Sequence, residues 1–144
     1  MIVLDAFAVL ALLKGEPAAG PVRLLLDGDQ DASLTALGVA EVLDHLVRIV
    51  GASEEDAALD LAQLGLTEPD PLEAAVALQA GLLRARHYHR RDRAVSLADC
   101  VLAEYARAAP APLASSDPQL LSMCRDEGID VVPLPDSQGR TWTR

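Results

Sequence analysis

Aromatic side chains make up only 3% of the chain, one Phe, two Tyr and one Trp, so Leu, Val and Ala must fill the interior. Cysteine is almost missing. Cys100 and Cys124 fall in segments that read as helical and lack metal-ligand spacing, which argues against a zinc site or a disulfide scaffold and for two buried, reduced thiols. Positive charge is short as well: 12 Lys and Arg against 22 Asp and Glu leave a net charge of −10. That balance excludes indiscriminate nucleic-acid binding through the overall field, but not a local basic site. No apolar run is long enough to span a bilayer. The opening one has Asp5 ahead of it and Lys14 behind it, the reverse of a secretion signal, so a cytoplasmic protein is expected.

What is present is globular in composition, 51% apolar and 24% charged, and 144 residues suffice for one domain with a real core. Ile2 to Leu4 reads as a buried strand, followed by a turn at Asp5 and a helix from Ala6 to Leu13. Pro21 can open a short helix through Leu26. "ASLT" reads as a second strand. "ALGVAEVLDHLVRIVG" reads as a helix with Ala40, Leu43, Leu46, Val47 and Val50 on one face, ended by Gly51. Ser53 with Asp56, and Ser96 with Asp99, have capping-box spacing before helices. Between them "EPDPLEAAVALQAGLLRARHYH" predicts a long helix with Pro71 in its first turn. "APLAS" and "IDVVPL" read as the third and fourth strands, separated by a helix with Pro118 near N1 and Gly128 at its end. Strands separated by helices require crossovers and a mainly parallel sheet. The predicted fold is a three-layer α/β/α sandwich with four or five strands over residues 1–134, and a loose C-terminal tail over 135–144.

A carboxylate inside an apolar run is costly unless it is paired, metal-bound or carried to the edge of the core. Asp5 directly follows the first strand, and Asp117 follows the third after Ser115 and Ser116. Open parallel sheets bind ligands beyond the carboxyl ends of their strands. Glu41 lies about one and a half turns into the helix after the second strand, and Asp99 near the start of a later helix, so four carboxylates converge if both helices begin at that edge. Asp5, Asp99 and Asp117 also fit as helix caps, worth ~1 kcal/mol each. Glu41 has no capping role and is otherwise a surface glutamate. Carboxylates sharing a pocket repel one another, and a divalent cation relieves the repulsion. Carboxylate and water ligands suit a hard ion such as Mg²⁺, and metal-assisted phosphodiester hydrolysis is the chemistry such a pocket serves.

"IVLDAFAVLALLKGEPAA", "GVAEVLDHL", "AVSLADCVLAE" and "PLASSDPQLL", in that order and spacing, resemble the PIN-domain ribonucleases, specifically the VapC-like toxins of type II toxin–antitoxin systems. The resemblance covers residues 1–134. It implies a Mg²⁺- or Mn²⁺-dependent endoribonuclease, held inactive by a cognate antitoxin and commonly working as a homodimer. It also implies an acidic quartet of Asp5, Glu41, Asp99 and Asp117, with Asp5 and Asp99 as direct metal ligands. Glu41 and Asp117 would position water or a second ion, and Ser115 would supply the hydroxyl that orients a carboxylate. One departure stands out: many members have Ser or Thr two residues after the first Asp, where this chain has Phe7.

Five of the twelve basic residues, Arg84, Arg86, Arg90, Arg91 and Arg93, fall within "RARHYHRRDR", beside His87, Tyr88 and His89 and just ahead of the Asp99 helix. Guanidinium groups suit phosphate and Tyr or His can stack on an unpaired base, so this stretch is the candidate RNA grip. The plainer alternative is a solvated helix end. A competing function is a catalytically silent PIN-fold module that acts through RNA or protein partners. A receiver-like phosphoryl acceptor fits less well, because Lys14 is the only lysine and lies early in the chain.

Overall fold

The computed structural model describes residues 1–143; Arg144, the last residue of the expected tail, lies outside them. Four strands of three residues each make the sheet: β1 (Ile2–Leu4), β2 (Ala32–Leu34), β3 (Leu113–Ser115) and β4 (Val131–Pro133). All pair in parallel in the order β2-β1-β3-β4, with Val3 opposite Ser33 and Leu113, and Ala114 opposite Val132. Such short strands hold because both faces are covered, which is the usual condition of parallel sheets.

Side-chain alternation assigns the two faces. Ile2, Leu4 and Ala114 pack into a core with α1 (Ala6–Lys14), α2 (Ala19–Asp27), α3 (Ala36–Asp44) and α4 (Glu54–Ala62). Val3 and Leu113 face a second core built with α5 (Ala74–His87), α6 (Leu97–Ala108) and α7 (Pro118–Asp126). The result is the expected three-layer sandwich, with four strands. Cys100 and Cys124 are free thiols buried in the second core.

Three elements differ from the sequence expectation, the slightest being α2, which begins at Ala19 rather than at Pro21. The helix after β2 does not run regularly to Gly51: it widens into a π-helical segment over His45–Val50. Its i→i+5 winding breaks the 3.6-residue period. Val42 and Leu46 are buried, Leu43 and Val47 pack beside them, and Val50 turns out to solvent; Ala40 is exposed too. The long helix begins at Ala74 rather than near Pro71. Pro69 and Pro71 bias the residue before each toward extended backbone, Glu73 is still extended (φ −80°, ψ 148°), and the Tyr105 hydroxyl ties this segment down by donating to Asp70 Oδ2 at 2.9 Å.

Beyond β4 the chain turns back on itself. Pro135 and Thr141 form an antiparallel bridge, and Asp136 Oδ1 accepts the N–H groups of Gln138 and Arg140, each at 2.9 Å. The Arg125 guanidinium on α7 stands 4.4 Å over the Trp142 ring.

Candidate active site

The first three strands each deliver their last residue to one edge of the sheet, and there the next helix begins. Asp5 is the hinge between β1 and α1. Its N–H bonds to the Ala114 carbonyl on β3 at 3.1 Å, its Oδ1 accepts the Ala8 N–H at 2.7 Å, and its Oδ2 accepts the Ser115 hydroxyl. Ser115 Oγ accepts the Asp117 N–H at 3.0 Å, and Asp117 Oδ1 in turn accepts the Gln119 N–H at 2.8 Å to cap α7. Asp99 Oδ2 accepts the Ser96 N–H at 2.9 Å while Ser96 Oγ accepts the Asp99 N–H at 3.0 Å, a complete capping box. Capping and convergence are therefore not alternatives. The caps are what aim these acids at a common edge.

Glu41 arrives differently. Thr35 Oγ1 accepts the Gly38 N–H at 3.0 Å and starts α3, which carries Glu41 forward on its second turn. Position 38 has to be small, because a Cβ there would lie 2.6 Å from Leu34 Cδ1 on a fully buried side chain. Asp5, Glu41 and Asp99 line one recess with Phe7, Thr35 and Gly38. Asp117 is not among its walls; it sits behind Ser115 and acts on the recess through its charge.

The electrostatics are those of uncompensated negative charge. Burial pushes the Asp5 carboxyl up to about 6, against the hydrogen bonds from Ser115 and Ala8, and the charges of Asp99 and Asp117 push the same way. Burial raises Asp99 against its bonds to Ser96, with Asp117 adding to the shift. Glu41 is raised by burial and by the charge of Asp99. Among the described residues no Lys or Arg lines the recess.

This donor set, carboxylates under mutual repulsion with an added hydroxyl, fits a hard divalent ion. The fit is an open one. Among the described residues no three His, Cys, Asp or Glu side chains draw together as an ion's complete ligand set. A cation at this edge would be held by one or two carboxylates with water completing its shell, the habit of Mg²⁺.

The family model for the PIN domain matches residues 2–126. The chain belongs to the PIN domain family. Solved structures of like fold include VapBC2 from Rickettsia felis bound to a promoter DNA fragment, at 18% identity, TM-score 0.68, 92% of this chain and 98% of that one. A toxin–antitoxin complex from Klebsiella pneumoniae matches at 15% identity, TM-score 0.67, over 92% and 96% of the two chains. FitAcB from Neisseria gonorrhoeae matches at 21% identity, TM-score 0.65, over 91% and 96%. At such identities the likeness is one of fold. No curated protein matches in sequence.

The basic segment of this PIN domain is divided in use. Arg84 Nε donates to the Val95 carbonyl at 2.9 Å, and its guanidinium stacks 4.3 Å over Tyr88. Arg86 pairs with Glu127 at 3.3 Å, and Arg93 reaches Asp126 and Ser122, each at 2.8 Å, and His87 Nδ1 at 2.7 Å. Because Arg93 can only donate, His87 Nδ1 accepts and its Nε2 donates to Glu127. Glu127, fed by His87, Arg107 and Arg86, is held down at about 2, so this network is structural. Arg90 and Arg91 are exposed and form no ion pair among the described residues. They ride on a loop closed by the His89–Arg93 bridge, which leans on α7 where the Ala94 N–H donates to Gln119 Oε1 at 2.8 Å.

Sequence reasoning assigned no part in the site to Thr35, Gln119 or Phe7. Thr35 was visible as a cap before an apolar helix, and Phe7 as the sole phenylalanine, two residues after the first acid. Gln119 carried no signal, since its role depends on a loop 25 residues upstream.

Proposed function

We propose that this PIN domain, residues 1–134, is a divalent-metal-dependent endoribonuclease and the toxin member of a type II toxin–antitoxin pair. The observation that carries the proposal is Asp5: a buried carboxylate with no cationic partner, sharing one recess at the strand-end edge with Glu41 and Asp99. Asp5 and Asp99 would hold Mg²⁺ or Mn²⁺ directly, and Glu41 and Asp117 would act through water. When bound, such an ion lowers the pKa of a water and neutralises phosphate charge. The chain's own residues do the rest. Ser115 fixes the rotamer of Asp5, Thr35 sets the start of α3 that presents Glu41, and the Ser96 box holds Asp99. The toxin–antitoxin complexes among the structural relatives support a cognate antitoxin as partner. A net charge of −10 favours a basic one. A homodimer acting in the cytoplasm completes the proposal; no helix among the described residues is long and apolar enough to cross a membrane.

The test is cleavage of single-stranded RNA by the purified chain with Mg²⁺ or Mn²⁺, expected to stop with EDTA, together with mapping of new RNA 5′ ends after brief expression in cells. Cleavage that continues unchanged in EDTA would overturn the mechanism. The open spacing of the carboxylates favours one second reading, a silent binding module, and RNA bound but never cut under any divalent ion would establish it. Arg90→Ala with Arg91→Ala is expected to weaken RNA binding and to lower the slope of log K against log salt by about 2. An unchanged slope would remove these arginines from the interface.

A further inference from the structure

The recess has one wall that its acids do not account for. Between Ile2 and Ala11 every side chain is buried except Phe7, which is 61% exposed. Leaving a phenyl ring in water forgoes the stabilisation that every neighbouring apolar residue in this stretch obtains. Its position is specific: it stands second in α1, two residues beyond Asp5, and lines the recess with Glu41 and Asp99. The ring is also held in place. His45 meets it in a T-shaped contact, centroids 6.4 Å apart and planes at 81°, which covers at most one ring face. His45 comes four residues after Glu41, so the acid and the imidazole project from the same side of their helix.

Lys14 completes the group from the same stripe of α1. Its Nζ donates to His45 Nε2 at 3.2 Å and pairs with Glu16 at 3.1 Å, which leaves one of its three donors uncommitted. The Phe7 ring thus stands beside a carboxylate of the recess and against an imidazole, with an ammonium on the far side of that imidazole. Those neighbours suit a planar, polar heterocycle tethered to phosphate better than an apolar peptide side chain.

We propose that Phe7 is a stacking platform for an unpaired nucleobase adjoining the phosphate that is cut, so that the site takes single-stranded or loop RNA and rejects duplex. The proposal rests on the nuclease reading and names the residue that selects for strandedness. A base within a duplex already has both faces stacked and offers none to the ring; a splayed-out base does. Stacking on an aromatic side chain is tolerant of base identity, so Phe7 selects strandedness rather than sequence. Lys14 contributes a contact to the strand's phosphate.

The test uses short RNAs carrying 2-aminopurine, single-stranded or annealed, with the full chain in an Asp5→Asn background so that the strand stays whole. Phe7→Leu and Phe7→Tyr are compared with the parent, and thermal midpoints confirm folding. The parent and Phe7→Tyr are expected to quench the probe on binding. Phe7→Leu, which keeps apolar bulk, is expected to bind single strands about tenfold more weakly without quenching, and duplex unchanged. Equal affinity and quenching for Phe7→Leu, or equal weakening for duplex, overturns the platform. So does a Phe7→Leu defect confined to association with a co-expressed protein, which makes the ring a protein contact. A chain with native Asp5 that cuts RNA while Phe7→Leu in the same context cuts it equally well leaves the nuclease reading standing and overturns the platform alone. A chain that neither binds nor cuts RNA overturns both.

Discussion

Asp5→Asn is expected to abolish RNA cleavage, by ~10³-fold or more, and at the same time to raise the thermal midpoint of the metal-free protein near neutral pH. The two effects have one origin. The amide keeps the shape of the carboxylate: Oδ1 still accepts the Ala8 N–H, and Nδ2 takes the place of Oδ2 and donates to Ser115 Oγ. What disappears is a buried charge facing Glu41, Asp99 and Asp117 without a counter-ion. With the group pushed up to about 6 from 3.8, keeping it ionised at pH 7 costs about 3 kcal/mol of stability. Melting and cleavage assays on the same preparations check the pair. A variant that loses cleavage and stability together would mean that Asp5 serves mainly as a cap. Asp99→Asn is expected to lose cleavage as well, with a smaller gain in stability, because its carboxylate is only partly buried whereas that of Asp5 is buried.

The metal-free protein is expected to lose stability as pH rises from about 4 to about 7. The sign follows from Asp5. Its folded value of about 6 lies above the unfolded 3.8, so between them the folded state holds the proton and the unfolded state does not. The contribution is complete below the unfolded value and gone above the folded one. Glu41 and Asp99 are raised too and push the same way. Glu127 is opposite in sign: held at about 2 against 4.5, its contribution is present above 4.5 and falls away in stronger acid. A stability maximum near pH 4 to 5 is the outcome. The drop toward neutrality should be on the order of 10 °C in thermal midpoint. Mg²⁺ is expected to restore it at about pH 7.5 and to do little at about pH 5. Asp5→Asn should flatten both the pH profile and the response to Mg²⁺. A parent protein whose midpoint ignores Mg²⁺ at every pH would speak against an ion at this edge.

The fold was legible because its signals are local. Short strands end in a polar capping residue, as at Leu4–Asp5 and Leu34–Thr35, and Ser96 with Asp99 announces α6 within four residues. Asp5, Asp99 and Asp117 take part in such caps, so reading the helix starts also located three of the four proposed acids, whereas Glu41 stood out only as an acid among small and apolar residues. What stayed hidden depends on partners remote in sequence. The density of arginines from Arg84 to Arg93 was plain, but their apportionment was not. Glu127 and Asp126 lie more than thirty residues on, and only the packing of α5 against α6 and α7 shows that Arg86 and Arg93 are taken. The π segment at His45 was equally out of reach, since a 3.6-residue period fits "HLVRIV" as well as any.

Asp5, Asp99 and Asp117 are each tethered at one oxygen to the first turn of a helix. A side chain held in that way has little rotational freedom left to surrender. A cation held by one or two of them would meet groups already at rest, and what would change on its arrival is the water around it. The same tethers make the edge stiff, so the water shell of a bound ion, rather than a swinging carboxylate, would have to take up differences in ionic size.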